Sequence, residues 1–269
     1  MTIQNLDPHE LLDLARKAAH EAGRLVRNVP IHTLTMTTKS SPTDLVSEMD
    51  RASERLILEI IMNARPADGL IGEEGTSKLS KSGLSWLVDP IDGTVNYLHG
   101  LPNYSISIAA IDERGAVVGA VYDPTVDEMF TAARGCGAAL NGNPIACSTA
   151  SLARAIVGTG FSYSSEQRVH QAEVLKSLLP AIGDIRRPGS AAVSLCWVAC
   201  GRLDAFYETG LNPWDFAAGA LIAREAGADV RGAEVNRSRS ELIVASSPSI
   251  TTDLCRMLGP MESSPSDTG

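Results

Sequence analysis

The sequence predicts a layered α+β or α/β protein in which helices cover sheets, and three stretches carry that expectation. Leu11, Ala15, Ala18, Ala22 and Leu25 recur at helical spacing near the start. From Ser105 to Ala133 the pattern changes to short alternating runs separated by turn residues, as in an antiparallel meander. Beyond about residue 150, strand-type and helix-type runs alternate.

Taken in order, Asp7-Pro8 opens the first helix, with Asp7 as N-cap and Pro8 at the first position, where a missing N–H costs nothing. A second helix is expected from about Ser47 through Ile61. Leu84 to Val88 reads as a strand that runs out at Asp89, because Pro90 lacks a backbone donor and blocks further pairing. Asp92-Gly93 is a turn signature, and Thr94 to His99 can start a helix whose N–H groups suit an anion. Strands Ser105 to Ile111 and Ala116 to Tyr122 flank a hairpin loop ending in Gly115, and Met129 to Ala133 with the Asn141-Gly142 turn extends the meander. Then follow a strand at Ala155 to Gly160, a helix at Val169 to Leu179, a strand at Asp184 to Arg187, a buried helix at Ala191, a strand at Leu203 to Glu208, a helix at Trp214 to Ala226, and strands near Ala228 and Leu242. Residues 1–148 and 149–259 form two expected halves, and the Ser- and Pro-containing tail 260–269 is expected to be disordered.

Acidic residues gather at the element boundaries. Glu73 follows apolar Leu70-Ile71, Asp89 and Asp92 flank Pro90-Ile91, Asp215 opens a helical run, and Asp44 lies in a Ser-Ser-Pro-Thr loop. An isolated Asp-x-x-Asp pair is more often a solvated turn. If Glu73, Asp89, Asp92 and Asp215 converge, however, their repulsion would raise their pKa values unless cations intervene. An all-oxygen ligand set without paired His or Cys favours Mg²⁺, with Mn²⁺ as substitute.

With these residues in place, the chain resembles the inositol monophosphatases, a family of lithium-sensitive, magnesium-dependent phosphomonoesterases. The likeness runs in order through Lys39 to Asp44, Gly72 to Glu74, Trp86 to Tyr97, Gly189 to Ala192, Asp204 to Glu208 and Trp214 to Gly219. The resemblance implies the αβαβα sandwich shared with fructose-1,6-bisphosphatase. It implies that Glu73, Asp89, the Ile91 carbonyl and Thr94 surround a first metal and its water. Asp89, Asp92 and Asp215 would hold a second ion, and Glu73 would touch a weaker third. Two ions about 3.5–4 Å apart could activate water and stabilise the leaving oxygen. Glu73, Asp44 and Thr94 are the expected catalytic residues, with Thr94 and Asp44 positioning the water and accepting its proton. The backbone amides of Gly93 and Thr94 would hold phosphate, with Asp92 and Asp215 beside the substrate. Gly189, Ser190, Ala191 and Glu208 match the family's polyol contacts. A homodimer is also implied.

Composition sets limits. With 23 Lys and Arg against 32 Asp and Glu, the net charge of −9 argues against a phosphate-tracking nucleic-acid surface. No apolar run approaches a membrane span, and no basic segment with an apolar h-region begins the sequence, so a cytoplasmic location is expected. The five cysteines lack Cys-x-x-Cys spacing and are expected to be reduced. Gly158-Thr159-Gly160 lacks the third glycine of a dinucleotide fingerprint. The expected reaction is Mg²⁺-dependent hydrolysis of inositol 1-phosphate, a small-molecule phosphomonoester. The rivals are sister enzymes acting on histidinol phosphate, fructose 1,6-bisphosphate or a 3′-phosphonucleotide, and a regulatory protein that retains the fold.

Overall fold

A computed structural model gives the fold of residues 7–29, 36–38, 45–235 and 242–259. Lys39, Asp44 and the tail 260–269 lie outside the described residues. Helix α1 (Pro8–Asn28) opens with Asp7 accepting a hydrogen bond from the His9 amide at 2.9 Å. Its buried stripe is built mainly of alanines, Ala15, Ala18, Ala19 and Ala22, closed by Leu11 and Val26. Small side chains let α1 lie close to the sheet below, and a Cβ at Gly23 would fall 2.4 Å from a Tyr122 ring carbon. Leu25 is only partly buried, so the stripe ends on Val26.

Strands β1 (Met36–Thr38) and β2 (Leu45–Ser47) form an antiparallel pair leading into α2 (Glu48–Ala64). Next come β3 (Gly69–Gly72), β4 (Ser77–Lys78), β5 (Ser85–Asp92) and the five-residue helix α3 (Thr94–Leu98). The meander follows as β6 (Ser105–Asp112), β7 (Gly115–Asp123), β8 (Glu128–Ala133), β9 (Ala138–Leu140) and β10 (Asn143–Pro144). The β6–β7 hairpin is tighter than the sequence suggests. Asp112 pairs with Gly115, which leaves Glu113 and Arg114 as a two-residue loop, and Gly115 takes φ +107°. These strands form one eight-stranded sheet in the order β10-β9-β8-β7-β6-β5-β3-β4.

The later residues supply β11 (Ile156–Thr159), α4 (Ser165–Leu178), β12 (Asp184–Arg186), α5 (Ala191–Ala199), β13 (Ala205–Glu208), α6 (Pro213–Glu225), β14 (Asp229–Arg231), β15 (Ile243–Ser246) and α7 (Thr251–Leu258). Their strands form a five-stranded mixed sheet in the order β12-β11-β13-β15-β14. Helix α7, absent from the sequence expectation, is held by Leu254 and Leu258 against Val157, Ala205 and Val244. Eight residues are too few for a helix to persist without such packing.

Three apolar clusters define five layers. Helices α1 and α2 bury Ile57, Ile61 and the alanine stripe against Trp86, Ile106 and Ile108 on one face of the large sheet. Helices α5 and α6 lie between the sheets, where Leu195, Phe216 and Leu221 meet Leu87, Val121 and Phe130 on one side and Phe206 and Ile243 on the other. Helices α4 and α7 close the outer face of the small sheet. The result is the expected αβαβα sandwich. Among the described residues, no helix is long and apolar enough to cross a membrane. All five cysteines are free, and burial pushes the Cys196 thiol upward on α5.

Candidate active site

Strand β5 does not stop at Asp89. Its ladder to β6 pairs Asp89 with Ser107 and Asp92 with Ser105, so three residue steps on one strand oppose two on the other. The surplus residue is a bulge around Pro90, whose ring nitrogen has no hydrogen for the ladder. Pro90 therefore interrupts the pairing without ending the strand, and the interruption changes parity. In an unbroken strand, residues three apart face opposite sides, whereas the bulge turns Asp89 and Asp92 to the same side. The Asp89 side chain braces the bulge by accepting from the Ile91 amide at 3.1 Å, and Ser53 Oγ donates to the Pro90 carbonyl at 2.9 Å.

Asp89 is 2% exposed. Burial first, then the negative charges of Glu73, Asp92 and Asp215, push its carboxyl well above the usual range, and a hydrogen bond ties it to Glu73. The expected acidic residues therefore meet around Asp89. Glu73 comes from the loop after β3, Asp92 from the end of β5, and Asp215 from the first turn of α6. There Asp215 Oδ2 accepts from the Asn212 amide at 2.7 Å in a reciprocal capping box.

Asp92 caps a second helix. Its oxygens accept from Ser190 Oγ at 2.5 Å, the Ala192 amide at 2.7 Å and the Ala191 amide at 3.3 Å, all at the start of α5. Burial nevertheless outweighs these bonds and raises the group to about 6. Ser190 and Ala191, expected as polyol contacts, thus touch Asp92 directly. Gly189 takes φ +100° with Asn96 against it, and the Asn96 side-chain amide lies 2.8–3.0 Å from the carbonyls of Pro102, Asn103 and Pro188. Gly93, at φ +95°, borders the same junction, and a Cβ there would meet Asn103 O at 3.0 Å and Gly189 O at 3.2 Å. Only glycine gives the required conformation and clearance together.

Thr94 Oγ1 lies 3.1 Å from Asp50 Oδ1 and 3.0 Å from the Ile91 carbonyl. Its expected partner Asp44 falls outside the described residues, and Asp50 is the carboxylate that the sequence reading missed. Asp50 is wholly buried. A signal for it does exist: the buried stripe of α2, followed backwards from Ile61 and Ile57, continues through Glu54, Ser53 and Asp50. Three polar residues at core spacing on one helix face call for polar partners. On the other side of the site, Glu208 ends β13, with its carboxyl packed over Gly160 so tightly that a Cβ there would fall 2.1 Å away. Burial pushes Glu208 up to about 8, with Arg187 opposing and the Asp92 charge adding to the rise.

Do these residues suit a divalent cation? The donor set is all oxygen, and Asp89 is raised by burial first and then by the neighbouring charges of Glu73, Asp92 and Asp215, which a cation would offset. Among the described residues no three His, Cys, Asp or Glu side chains stand as a ready ligand cage. Asp92 and Asp215 rest on backbone amides and Asp89 shares a hydrogen with Glu73, so loading displaces that proton. With this change the set fits a hard cation.

Carboxylates gathered around buried Asp89, beside a hydroxyl–carboxylate pair in this five-layered fold, suit metal-assisted phosphate chemistry. Comparison gives the particular family. A sequence model of the inositol monophosphatase family matches residues 7–258. The inositol-1-monophosphatase of Mycobacterium leprae (strain TN) is 38% identical over 280 residues, covering 96% of each chain. The Nus factor SuhB of Escherichia coli (strain K12) is 40% identical over 223 residues, covering 81% of this chain and 84% of that one. The crystal structure of extragenic suppressor protein suhB from Bartonella henselae superposes with a TM-score of 0.87 at 34% identity, over 93% of this chain and 98% of that one. The chain belongs to the inositol monophosphatase family, whose members are generally metal-dependent phosphatases.

Proposed function

We propose that the chain hydrolyses inositol 1-phosphate with Mg²⁺ as cofactor. The observation that carries this reading is the convergence of Glu73, Asp92 and Asp215 on buried Asp89. The inositol-1-monophosphatase of Mycobacterium leprae, similar over 96% of both chains, supports the substrate. Glu73, Asp89, the Ile91 carbonyl, Asp92 and Asp215 would hold two or three ions, with Mn²⁺ as a substitute. Bound there, divalent ions neutralise phosphate oxygens, lower the pKa of water and stabilise a leaving alkoxide.

The chain's own groups supply the positioning. Thr94 Oγ1 receives the proton of the attacking water and passes its own to Asp50 Oδ1, 3.1 Å away. Asp44, the partner expected for Thr94, lies outside the described residues, and Asp50 is the carboxylate seen beside that hydroxyl. The amides of Gly93 and Thr94 orient the phosphate, and Glu208 with the Gly189–Ala191 turn receives the ring hydroxyls. Catalysis here is mainly electrostatics and alignment. Asp50→Asn keeps the shape but removes the proton acceptor, so kcat is expected to fall about 100- to 10,000-fold with KM nearly unchanged. Steady-state kinetics at saturating Mg²⁺ checks this, and an unchanged kcat would remove Asp50 from the proton path.

The test of the substrate is turnover of inositol 1-phosphate, histidinol phosphate, fructose 1,6-bisphosphate, a 3′-phosphonucleotide and β-glycerophosphate, with chelator and with Mg²⁺ restored. Preference for inositol 1-phosphate, lost on chelation and regained with Mg²⁺, is expected. A clear preference for histidinol phosphate would reassign the substrate. Uncompetitive inhibition by Li⁺ is expected in the same assay, with Mg²⁺ and Li⁺ dependence moving together in Asp44→Asn. A second reading rests on the Escherichia coli relative, a Nus factor: a fold kept for partner contacts. A metal-replete protein that turns over none of these esters would favour it.

A further inference from the structure

Helix α2 reaches the acidic centre with more than Asp50. Four residues further along, Glu54 is 3% exposed, yet it contacts none of the groups assigned above to phosphate or ring hydroxyls. Its two oxygens are occupied instead by the loop after β3. Glu54 Oε2 accepts from the Glu74 amide at 2.8 Å, and Oε1 accepts from Thr76 Oγ1 at 2.6 Å. The carboxylate also lies flat against Gly72, where an added Cβ would come within 2.4 Å of Oε2 and 2.6 Å of the carboxyl carbon. Glu54 thus touches the loop on both sides of Glu73, at residues 72, 74 and 76.

The loop is short. It spans only Glu73 to Thr76 between β3 and β4, is closed by the Gly72 amide on the Thr76 carbonyl at 2.8 Å, and bends at Gly75 with φ +96°. The Glu73 amide donates to the Val88 carbonyl at 3.1 Å, which ties the backbone to β5 just before Asp89. Arg51, one turn earlier on α2, stands 3.8 Å from the Glu74 carboxylate, with the arginine half exposed and the carboxylate buried. At 3.8 Å that pair is longer than a hydrogen bond, so the two short hydrogen bonds to Glu54 hold the loop more firmly.

We propose that Glu54 is a positioning residue for Glu73: it locks the loop so that the Glu73 carboxylate is already aimed at Asp89 before a cation arrives, and it thereby sets metal affinity. The proposal rests on the metal-dependent reading above. Removal of partners that orient metal ligands from behind typically costs 10- to 100-fold in affinity. Conservative replacement is informative here, because a glutamine at this place can keep both contacts. Its carbonyl accepts from the Glu74 amide, and the Thr76 hydroxyl reverses to accept from its amide nitrogen.

The test is Mn²⁺ binding by isothermal titration calorimetry on the purified full chain, alongside the Mg²⁺ concentration that half-activates turnover. Glu54→Ala is expected to weaken Mn²⁺ binding about 10-fold or more and to shift the Mg²⁺ midpoint by a similar factor. KM for substrate at saturating metal stays near wild type, and Glu54→Gln recovers most of the loss. Wild-type Mn²⁺ affinity in folded Glu54→Ala, even with a lower Tm, would overturn the proposal and leave Glu54 a core residue only. If Glu54→Ala does not fold, isosteric Thr76→Val decides. A weaker loss in the same direction supports the proposal, and unchanged affinity overturns it. Wild-type protein that binds no Mn²⁺ and needs no divalent ion would instead defeat the underlying metal assignment.

Discussion

Asp92→Asn is expected to lower kcat/KM by about 100- to 1000-fold, the scale of losing one fixed charge where charge develops in a transition state. Asn is nearly isosteric, so the bulge and the shared orientation of residues 89 and 92 should survive. The substitution also touches the start of α5, since Asp92 accepts from Ser190 Oγ and from the Ala191 and Ala192 amides. That cap is worth about 0.5–2 kcal/mol of stability. Ser190→Ala separates the two roles, because it disturbs the cap while leaving the carboxylate. The expected pattern is a near-complete loss of turnover in Asp92→Asn with circular dichroism unchanged, against a modest loss in Ser190→Ala. Full Mg²⁺-dependent activity in Asp92→Asn would remove this residue from the metal set.

The second large effect is at Glu208, where function and stability should move in opposite directions. Loss of one ring-hydroxyl contact in Glu208→Gln should cost about 1–3 kcal/mol, or about 5- to 150-fold in kcat/KM for inositol 1-phosphate. β-Glycerophosphate, which lacks the ring, should lose far less. Equal losses on the two substrates would make Glu208 a structural support. The stability side follows from its ionisation: burial, opposed by Arg187 and reinforced by Asp92, lifts the group from 4.5 to about 8 in the folded protein. The unfolded chain gives up this proton first, so the stabilisation from the neutral form is complete below about 4.5 and is lost as pH rises toward 8. Glu208→Gln has no such loss. In chelator, thermal unfolding should show the variant gaining about 1–3 kcal/mol over wild type between pH 5 and pH 8, a discounted share of the full linkage because the carboxyl is partly open to solvent. A parallel pH dependence in the two proteins would contradict the neutral state of Glu208 in the folded protein.

Much of this architecture is legible in the chain. Helical spacing in α1 and α2, the meander from Ser105, and the later alternation of strands and helices each follow a local period, which short-range sterics and one-sided burial impose directly. The acidic residues are legible as well, because each sits at a boundary marked by glycine or proline. The departures have a common origin in long-range contact. Pro90 looks like a strand terminator because its missing donor is a local fact, but β6 supplies a partner that pairs on both sides of the gap. Asp50 and Glu54 resemble ordinary polar helix residues until the loops after β3 and β5 fold over them. Helix α7 is too short to declare itself without the sheet it covers.

The sequence by itself determined the layered class, the order of the longer helices and of the meander, and the identity of the acidic and glycine-rich turns, because those depend on chemistry within a few residues. Only the tertiary structure decided that the bulge at Pro90 turns Asp89 and Asp92 to one side, that Glu73 and Asp215 join them from distant segments, and that Asp50 meets Thr94. Those facts depend on strand register and helix packing between segments far apart in the chain. A one-residue change of register would reverse the face of Asp92 without altering a single local preference.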